Sequence, residues 1–137
     1  MYTLRIEQEL NIGRELRLPY TTDARAYGQH WNVFVVIQAE YLNDWGMAVD
    51  FSHIRDLIKQ HDNQYFFQKS VRGEQELEEF PGGHVHCPFS PTMENMAKFL
   101  WEEICLYLAK SPHYKEIKGK VVSVEIRGDG GSVLYEF

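Results

Sequence analysis

Hydrophobic and polar residues alternate in two stretches of the first third of the chain. In Leu4-Arg5-Ile6-Glu7-Gln8-Glu9-Leu10-Asn11-Ile12, the side chains of Leu4, Ile6, Leu10 and Ile12 fall on one face, the period of two expected of a half-buried strand. Residues 31–41 repeat the pattern, with Trp31, Val33, Val35, Ile37, Ala39 and Tyr41 set against Asn32, Gln38 and Glu40. The centre of that stretch, Val33-Phe34-Val35-Val36-Ile37, is apolar on both faces, which predicts a strand covered on both sides. The period then changes. Phe51, Ile54, Leu57 and Ile58 recur at helical spacing, with Asp50 placed to cap the first turn. A second helix is predicted after Ser90, with Ser90 as N-cap, Pro91 at the first helical position and Met96, Leu100, Ile104, Tyr107 and Leu108 as its apolar stripe. Between the helices, residues 66–88 read as irregular and charged, broken by Pro81-Gly82-Gly83. The last segment predicts a hairpin of residues 121–127 and 132–137 around Gly128-Asp129-Gly130-Gly131. Strand, strand, helix, helix, strand, strand is an α+β order, expected to give an antiparallel sheet with the helices on one face.

Composition narrows the class. A chain of 137 residues is of the size that buries one core without staples, and no linker, repeat or low-complexity stretch divides it. Residues 1–137 are therefore read as a single domain. The balance of 14 Lys+Arg against 20 Asp+Glu gives a net charge of −6, which argues against a nucleic-acid partner, since that affinity rests on neutralising phosphates. No apolar run approaches the roughly 20 residues of a membrane span, and the first residues lack the basic start and apolar core of a secretory signal. The expectation is a cytoplasmic protein with no membrane partner. Cys87 and Cys105 form no Cys-x-x-Cys pair and allow at most one bridge.

Two groups of residues carry candidate chemistry. In Gly82-Gly83-His84-Val85-His86-Cys87 a strand would project His84 and His86 to one face, a spacing that can chelate zinc. A third ligand would have to come from His30, His53, His61 or Cys105, and spacing selects none of them. A loop with partly exposed histidines accounts for the same residues. Glu125 lies mid-strand in Val122-Ser123-Val124-Glu125-Ile126-Arg127, on the face away from Val122, Val124 and Ile126. It can be a solvated carboxylate beside Arg127, or an acceptor for two N–H groups of a planar heterocycle. The Met and aromatic residues of the second helix (Met96, Phe99, Leu100, Trp101, Tyr107) suit a core, with some available for subunit contact. No Gly-x-Ser-x-Gly occurs, and the terminal glycines precede no helix, so they do not form a phosphate cradle.

Several segments together resemble the 6-pyruvoyltetrahydropterin synthase / 6-carboxytetrahydropterin synthase family. Leu10-Asn11-Ile12-Gly13-Arg14-Glu15-Leu16-Arg17-Leu18 is similar to its Phe-x-Phe-x-Ala-Ala-His-Arg-Leu, and Tyr27-Gly28-Gln29-His30-Trp31-Asn32-Val33 to its His-Gly-His-Asn-Tyr-x-Val. Gly46-Met47-Ala48-Val49-Asp50-Phe51 matches Gly-Met-Val-x-Asp-Phe. Pro91-Thr92-Met93-Glu94-Asn95-Met96-Ala97 matches Pro-Thr-Ala-Glu-Asn-Ile-Ala, and Glu125 falls on the closing Val-x-Val-x-Glu. The resemblance implies the tunnelling fold, a β-β-α-α-β-β subunit that assembles into a barrel, typically a homohexamer of two trimers.

The chemistry implied by the resemblance is broken at defined positions. Family enzymes hold zinc with the His of the first motif and both His of His-Gly-His, where this chain has Leu16, Tyr27 and Gln29. The catalytic Cys becomes Asp23, and the family's Asp-His pair becomes Asp62-Asn63, with His61 preceding the Asp. Shifting the second motif by one would place His30 on one ligand position and Gly28 on the other. Zinc would polarise substrate oxygens, and leucine offers it nothing, while Tyr and Gln are poor replacements for imidazole. The expectation is no zinc cofactor, with Asp23 and Asp62 as the remaining catalytic candidates. An Asp near its ordinary pKa of about 3.9 is a weak base unless burial raises it. Glu125 and Thr92 resemble the residues that hold and line the pterin pocket, so a small pterin- or purine-like ligand and a homo-oligomer are the expected partners. Two other expectations stand beside this one: an active zinc lyase using relocated ligands such as His84 and His86, and a structural or regulatory oligomer without a small ligand.

Overall fold

The computed structural model describes residues 1–17, 24–68, 83–128 and 130–137, with the backbone alone for residues 17 and 24–27. Two long antiparallel strands, β1 (Tyr2–Arg17) and β2 (Ala24–Ala39), form the spine. They are followed by α1 (Phe51–Lys59), β3 (Tyr65–Gln68), β4 (His84–Cys87), α2 (Met93–Ala109), the short α3 (Pro112–Glu116), β5 (Lys120–Gly128) and β6 (Gly131–Glu136). The six strands make one sheet in the order β4-β3-β1-β2-β5-β6. The predicted order is present, with three additions: α3 and the two short strands β3 and β4, which pair in parallel and make the sheet mixed.

The alternation seen in the sequence sorts the sheet into two faces. Ile6, Leu10 and Ile12 of β1 and Trp31, Val33, Val35 and Ile37 of β2 are buried, packed with Ile54 and Ile58 of α1, Met96, Leu100, Ile104 and Leu108 of α2, and Val124 and Ile126 of β5. Burial of this kind contributes about 25 cal/mol per Å² of apolar surface, which is why the helices lie on this face. Among the described residues no second layer covers the opposite face, which the apolar centre of β2 predicts to be covered. Phe34 is half-buried there, beneath the guanidinium groups of Arg5 (5.2 Å) and Arg127 (4.4 Å). Charged stems cover the ring in place of a second layer.

Caps define the helix starts. Asp50 accepts hydrogen bonds from the Ser52 amide (2.9 Å) and hydroxyl (2.6 Å), as its position predicts. The second helix starts later than Ser90. Thr92 is its N-cap, with Oγ1 accepting from the Asn95 amide at 3.1 Å. Ser90 and Pro91 stay outside because the Ser90 carbonyl accepts from Asn95 Nδ2 (2.9 Å) and the Thr92 amide (2.8 Å). The closing hairpin joins Gly128 to Gly131 directly across the ladder, with Gly130 at φ 75°, a conformation suited to glycine. Among the described residues no helix is long and apolar enough to cross a membrane.

Candidate functional site

The positions singled out in the sequence separate by face and by height along the strands. Adjacent strand residues point to opposite sides, so Leu10, Ile12, Arg14 and Leu16 project toward the helices while Gly13 and Glu15 project away. Arg14 is the register partner of Tyr27, Ile12 of Gln29 and Leu16 of Arg25. The register therefore brings Leu16, Tyr27 and Gln29 to one end of the β1–β2 ribbon. Asp23 lies outside the described residues.

Arg14 is the central side chain at that end. It is 6% exposed. Its Nε donates to Gln29 Oε1 at 3.0 Å, one terminal nitrogen donates to the Pro91 carbonyl at 3.2 Å, and the guanidinium carbon lies 5.0 Å from the Trp31 ring centre. One planar, permanently charged group thus ties β1 to β2 and to the segment leading into α2. The position is one where the motif it resembles has alanine, and that mismatch is the signal the sequence offers for it.

These residues do not fit zinc. Leu16 has no lone pair, and an amide oxygen such as that of Gln29 is a hard donor, whereas zinc sites are built from imidazole, thiolate and carboxylate. The Gln29 oxygen already accepts from a cation. His30 does not restore a ligand, because it projects to the other face, where Nδ1 meets Asn11 Oδ1 at 2.7 Å and Nε2 lies 3.9 Å from Glu9. Among the described residues no group of three or more His, Cys, Asp or Glu side chains could hold a metal ion.

His84 and His86 do share a face, on the edge strand β4, as their spacing predicts. His86 stacks on Phe67 (5.1 Å, 11° between planes), and His84 meets the edges of Tyr65 and Phe67. The buried Tyr65 donates its hydroxyl to Glu15 Oε2 at 2.9 Å. This is the face of Glu15, opposite Arg14 and Gln29.

Asp62 stands in the turn after α1, and its Oδ1 accepts from the Asn11 amide at 2.8 Å. With Asn63 in the left-handed region (φ 61°) and its amide on the Asn11 carbonyl, Asp62 pins that turn to β1. Its neighbour His61 is buried. Nδ1 meets Gln64 Oε1 at 2.8 Å and Nε2 meets Glu103 Oε1 at 2.7 Å. Burial opposes the charged ring, but hydrogen bonds to Glu103 and Gln64 outweigh it and raise the His61 pKa. Nothing in the local sequence announces Glu103 as its partner, because the two are 42 residues apart and meet only when α1 and α2 pack.

Glu125 occupies the opposite face, in the row Glu7–Phe34–Glu125–Leu134. Its side chain is 19% exposed. Arg127 donates Nε to Oε2 at 2.8 Å, with a weaker 3.5 Å contact to Oε1, and an Arg5 nitrogen stands 3.7 Å from Oε1. The carboxylate is thus oriented beside the Phe34 ring. The cysteines offer no nucleophile. Both are free, and burial pushes the Cys87 thiol up to about 11 and raises Cys105, where the Glu102 charge adds to the effect, so the reactive thiolate is scarce near neutral pH.

No curated protein matches this sequence significantly. Among solved structures, the 6-pyruvoyltetrahydropterin synthase of Plasmodium vivax, in a variant whose catalytic glutamate is replaced by alanine, aligns with a TM-score of 0.65 at 16% identity, covering 99% of this chain and 98% of that one. An uncharacterised protein of Wolinella succinogenes aligns with a TM-score of 0.65 at 18% identity over 98% and 97% of the two chains. The Caenorhabditis elegans 6-pyruvoyl tetrahydropterin synthase aligns with 0.54 at 13% identity over 99% and 95%. At such identities these likenesses establish the fold. The profile of the 6-pyruvoyl tetrahydropterin synthase family matches residues 3–131, and with this sheet and these motifs in place, the chain belongs to that family.

Proposed function

We propose that this protein binds a planar nitrogen heterocycle, pterin- or purine-like, through Glu125, in a pocket shared between copies of the chain, and that it does so without zinc. Glu125 is the observation that carries the reading. A carboxylate offers about four acceptor sites on two oxygens. Arg127 and Arg5 use part of that capacity and hold the group in place, so an amino-pyrimidine edge with two parallel N–H donors finds a pre-oriented acceptor. The guanidinium planes that cover Phe34 offer a surface on which a flat ring can stack. Thr92 lies in the retained Pro-Thr-x-Glu-Asn segment. Its oxygen caps α2, and its hydroxyl proton remains free to donate to a ligand.

The two faces of the sheet support a shared pocket. Thr92 follows Pro91, whose carbonyl is bonded by Arg14 on the helix face, whereas Glu125 stands on the opposite face. One chain does not present both groups to one small ligand, whereas a second copy can. Should a reaction accompany binding, Asp23 and Asp62 are the acids and bases available to it. The catalytic glutamate of the Plasmodium vivax enzyme favours an acidic catalyst over a cysteine.

A ligand that binds only the folded state raises the melting temperature, by about 2.7 kcal/mol of added stability at a hundredfold excess over Kd. Thermal melts across a pterin and purine panel are expected to show such a rise for at least one member, unchanged by EDTA. Glu125→Gln should remove it while leaving the unliganded melting temperature within a few degrees. A panel that moves nothing would favour a structural oligomer and defeat the proposal.

A further inference from the structure

The segment between β2 and α1 is firmly bonded, yet it carries the most exposed large apolar side chain among the described residues. Asn43 organises it. The Asn43 amide donates to the Met47 carbonyl (2.8 Å), and its carbonyl accepts from the Gly46 amide (2.9 Å). Its Oδ1 accepts from the amides of Trp45 (2.9 Å) and Met47 (3.0 Å). Gly46, at φ 77°, supplies the left-handed step that closes the turn. Both ends are tied down as well. The Glu40 and Tyr41 amides donate to the Ile117 carbonyl (3.0 and 3.1 Å), and Ala48 joins a small buried cluster with Ala39 and Ile117. A turn fixed by so many bonds holds the Trp45 indole out in water, 88% exposed.

Beside it lies an open groove of about 600 Å³, whose lining includes Tyr2, Leu4, Leu42, Met47 and Phe51. Single exposed apolar side chains are ordinary, but a contiguous group of them is not. Trp45, Tyr41, Phe51, Tyr2, Met47 and Leu42 are each 39–88% exposed. Together they leave on the order of 600 Å² open. Each partner in a stable complex gives up roughly 800 Å², a little over half of it apolar. The patch therefore suffices for the apolar part of one whole side of an interface.

We infer that this patch is a two-fold contact between copies of the chain, in which Trp45 of each copy seats in the groove of the other. A projecting indole and an open apolar groove stand side by side on one surface. A two-fold axis sets that surface against itself and fills both grooves at once. The indole has only two side-chain torsions to lose, and the Asn43 turn has already fixed its backbone, so docking costs little ordering. The groove suits an apolar side chain better than a small polar ligand. Its one carboxylate, Asp50, is already taken by the Ser52 amide (2.9 Å) and hydroxyl (2.6 Å) as the cap of α1. The contact lies where β1 begins and β2 ends, with Tyr2 opposite Ala39, whereas Glu125 pairs with Phe34 in mid-strand. It does not rest on the heterocycle, and it is decided by mass and fluorescence with no ligand present.

Sedimentation over a range of concentrations compares the unaltered protein with Trp45→Ala and Phe51→Glu. Leu106→Ala is the control, trimming a 64% exposed residue of α2 outside the groove lining. Trp45→Ala and Phe51→Glu should each halve the mass of the assembly and weaken association at least about 30-fold, while Leu106→Ala changes neither. An unaltered protein that is monomeric at every concentration overturns the contact, as does a mass unmoved by Trp45→Ala or an equal fall in Leu106→Ala. Fluorescence reads the same contact without a disruptive variant. Subtracting the emission of Trp45→Phe from that of the unaltered protein isolates Trp45, because Trp31 and Trp101 are common to both. That emission should be blue-shifted and shielded from acrylamide. Red-shifted, freely quenched emission overturns the contact.

Discussion

Gly128 shows how a single missing methyl group supports the core. A Cβ built there would lie 2.5 Å from Trp31 Cδ1 and 3.2 Å from the His30 carbonyl. Trp31 is fully buried and Arg14 lies over its ring, so it has no room to retreat. Gly128→Ala is therefore expected to destabilise the protein by about 1–3 kcal/mol, read from denaturant melts. Gly131→Ala, where a Cβ would meet nothing within 4 Å, should stay within about 0.5 kcal/mol of the starting protein. Equal losses at the two positions would show that close packing on Trp31 is not the cause. The same indole carries a buried Nε1 with no hydrogen-bond partner among the described residues, so its value to the fold lies in volume and ring contact.

At the scale of elements, His61 joins three pieces of the fold. It sits at the end of α1, bonds Glu103 of α2, and packs its ring on Phe66 of β3 and Phe99 of α2. Gln60 adds a second bond to Glu103 at 2.9 Å. Because the His61 pKa is raised in the folded state from its ordinary 6.5, folding favours the charged ring. That contribution is complete below pH 6.5, the unfolded value, and is lost as pH rises through the higher folded value. Stability should fall over that window, and His61→Gln should flatten the fall. An NMR titration of the His61 ring with a midpoint below 6.5 would contradict this. The strands β3 and β4 belong to the same scale. Each is four residues long, too short for a period to register in the sequence, and parallel pairing next to β1 is what holds them.

At the scale of the molecule, the placement of Glu125 and Thr92 on opposite faces of one sheet argues for assembly. So does exposed apolar surface: Trp45 is 88% exposed, with Tyr41, Leu42, Met47 and Phe51 exposed nearby in sequence, and such clusters commonly mark contact surfaces. Light scattering or sedimentation is expected to give a mass that is a multiple of the 16.1 kDa chain, six copies on the family pattern. A strictly monomeric protein that still binds a heterocycle through Glu125 would place the whole pocket in one subunit and remove the argument for sharing.

Period and motif in the sequence alone determined the order of the long elements, the apolar face of β1 and β2, the cap at Asp50, the closing hairpin and the family. These are local or face-level properties, set by side-chain alternation and by backbone chemistry within a few residues. The tertiary structure decided the rest, because each remaining feature depends on segments far apart in the chain. Register turned Arg14 from one charge among many into the centre of a buried cluster with Gln29, Trp31 and Pro91. The pleat removed His30 from the candidate ligands by turning it to the other face. Helix packing paired His61 with Glu103, and strand pairing set Glu125 between Arg127 and Arg5 beside Phe34. Spacing along a chain shows which residues can share a face, and only the folded sheet shows what stands across from them.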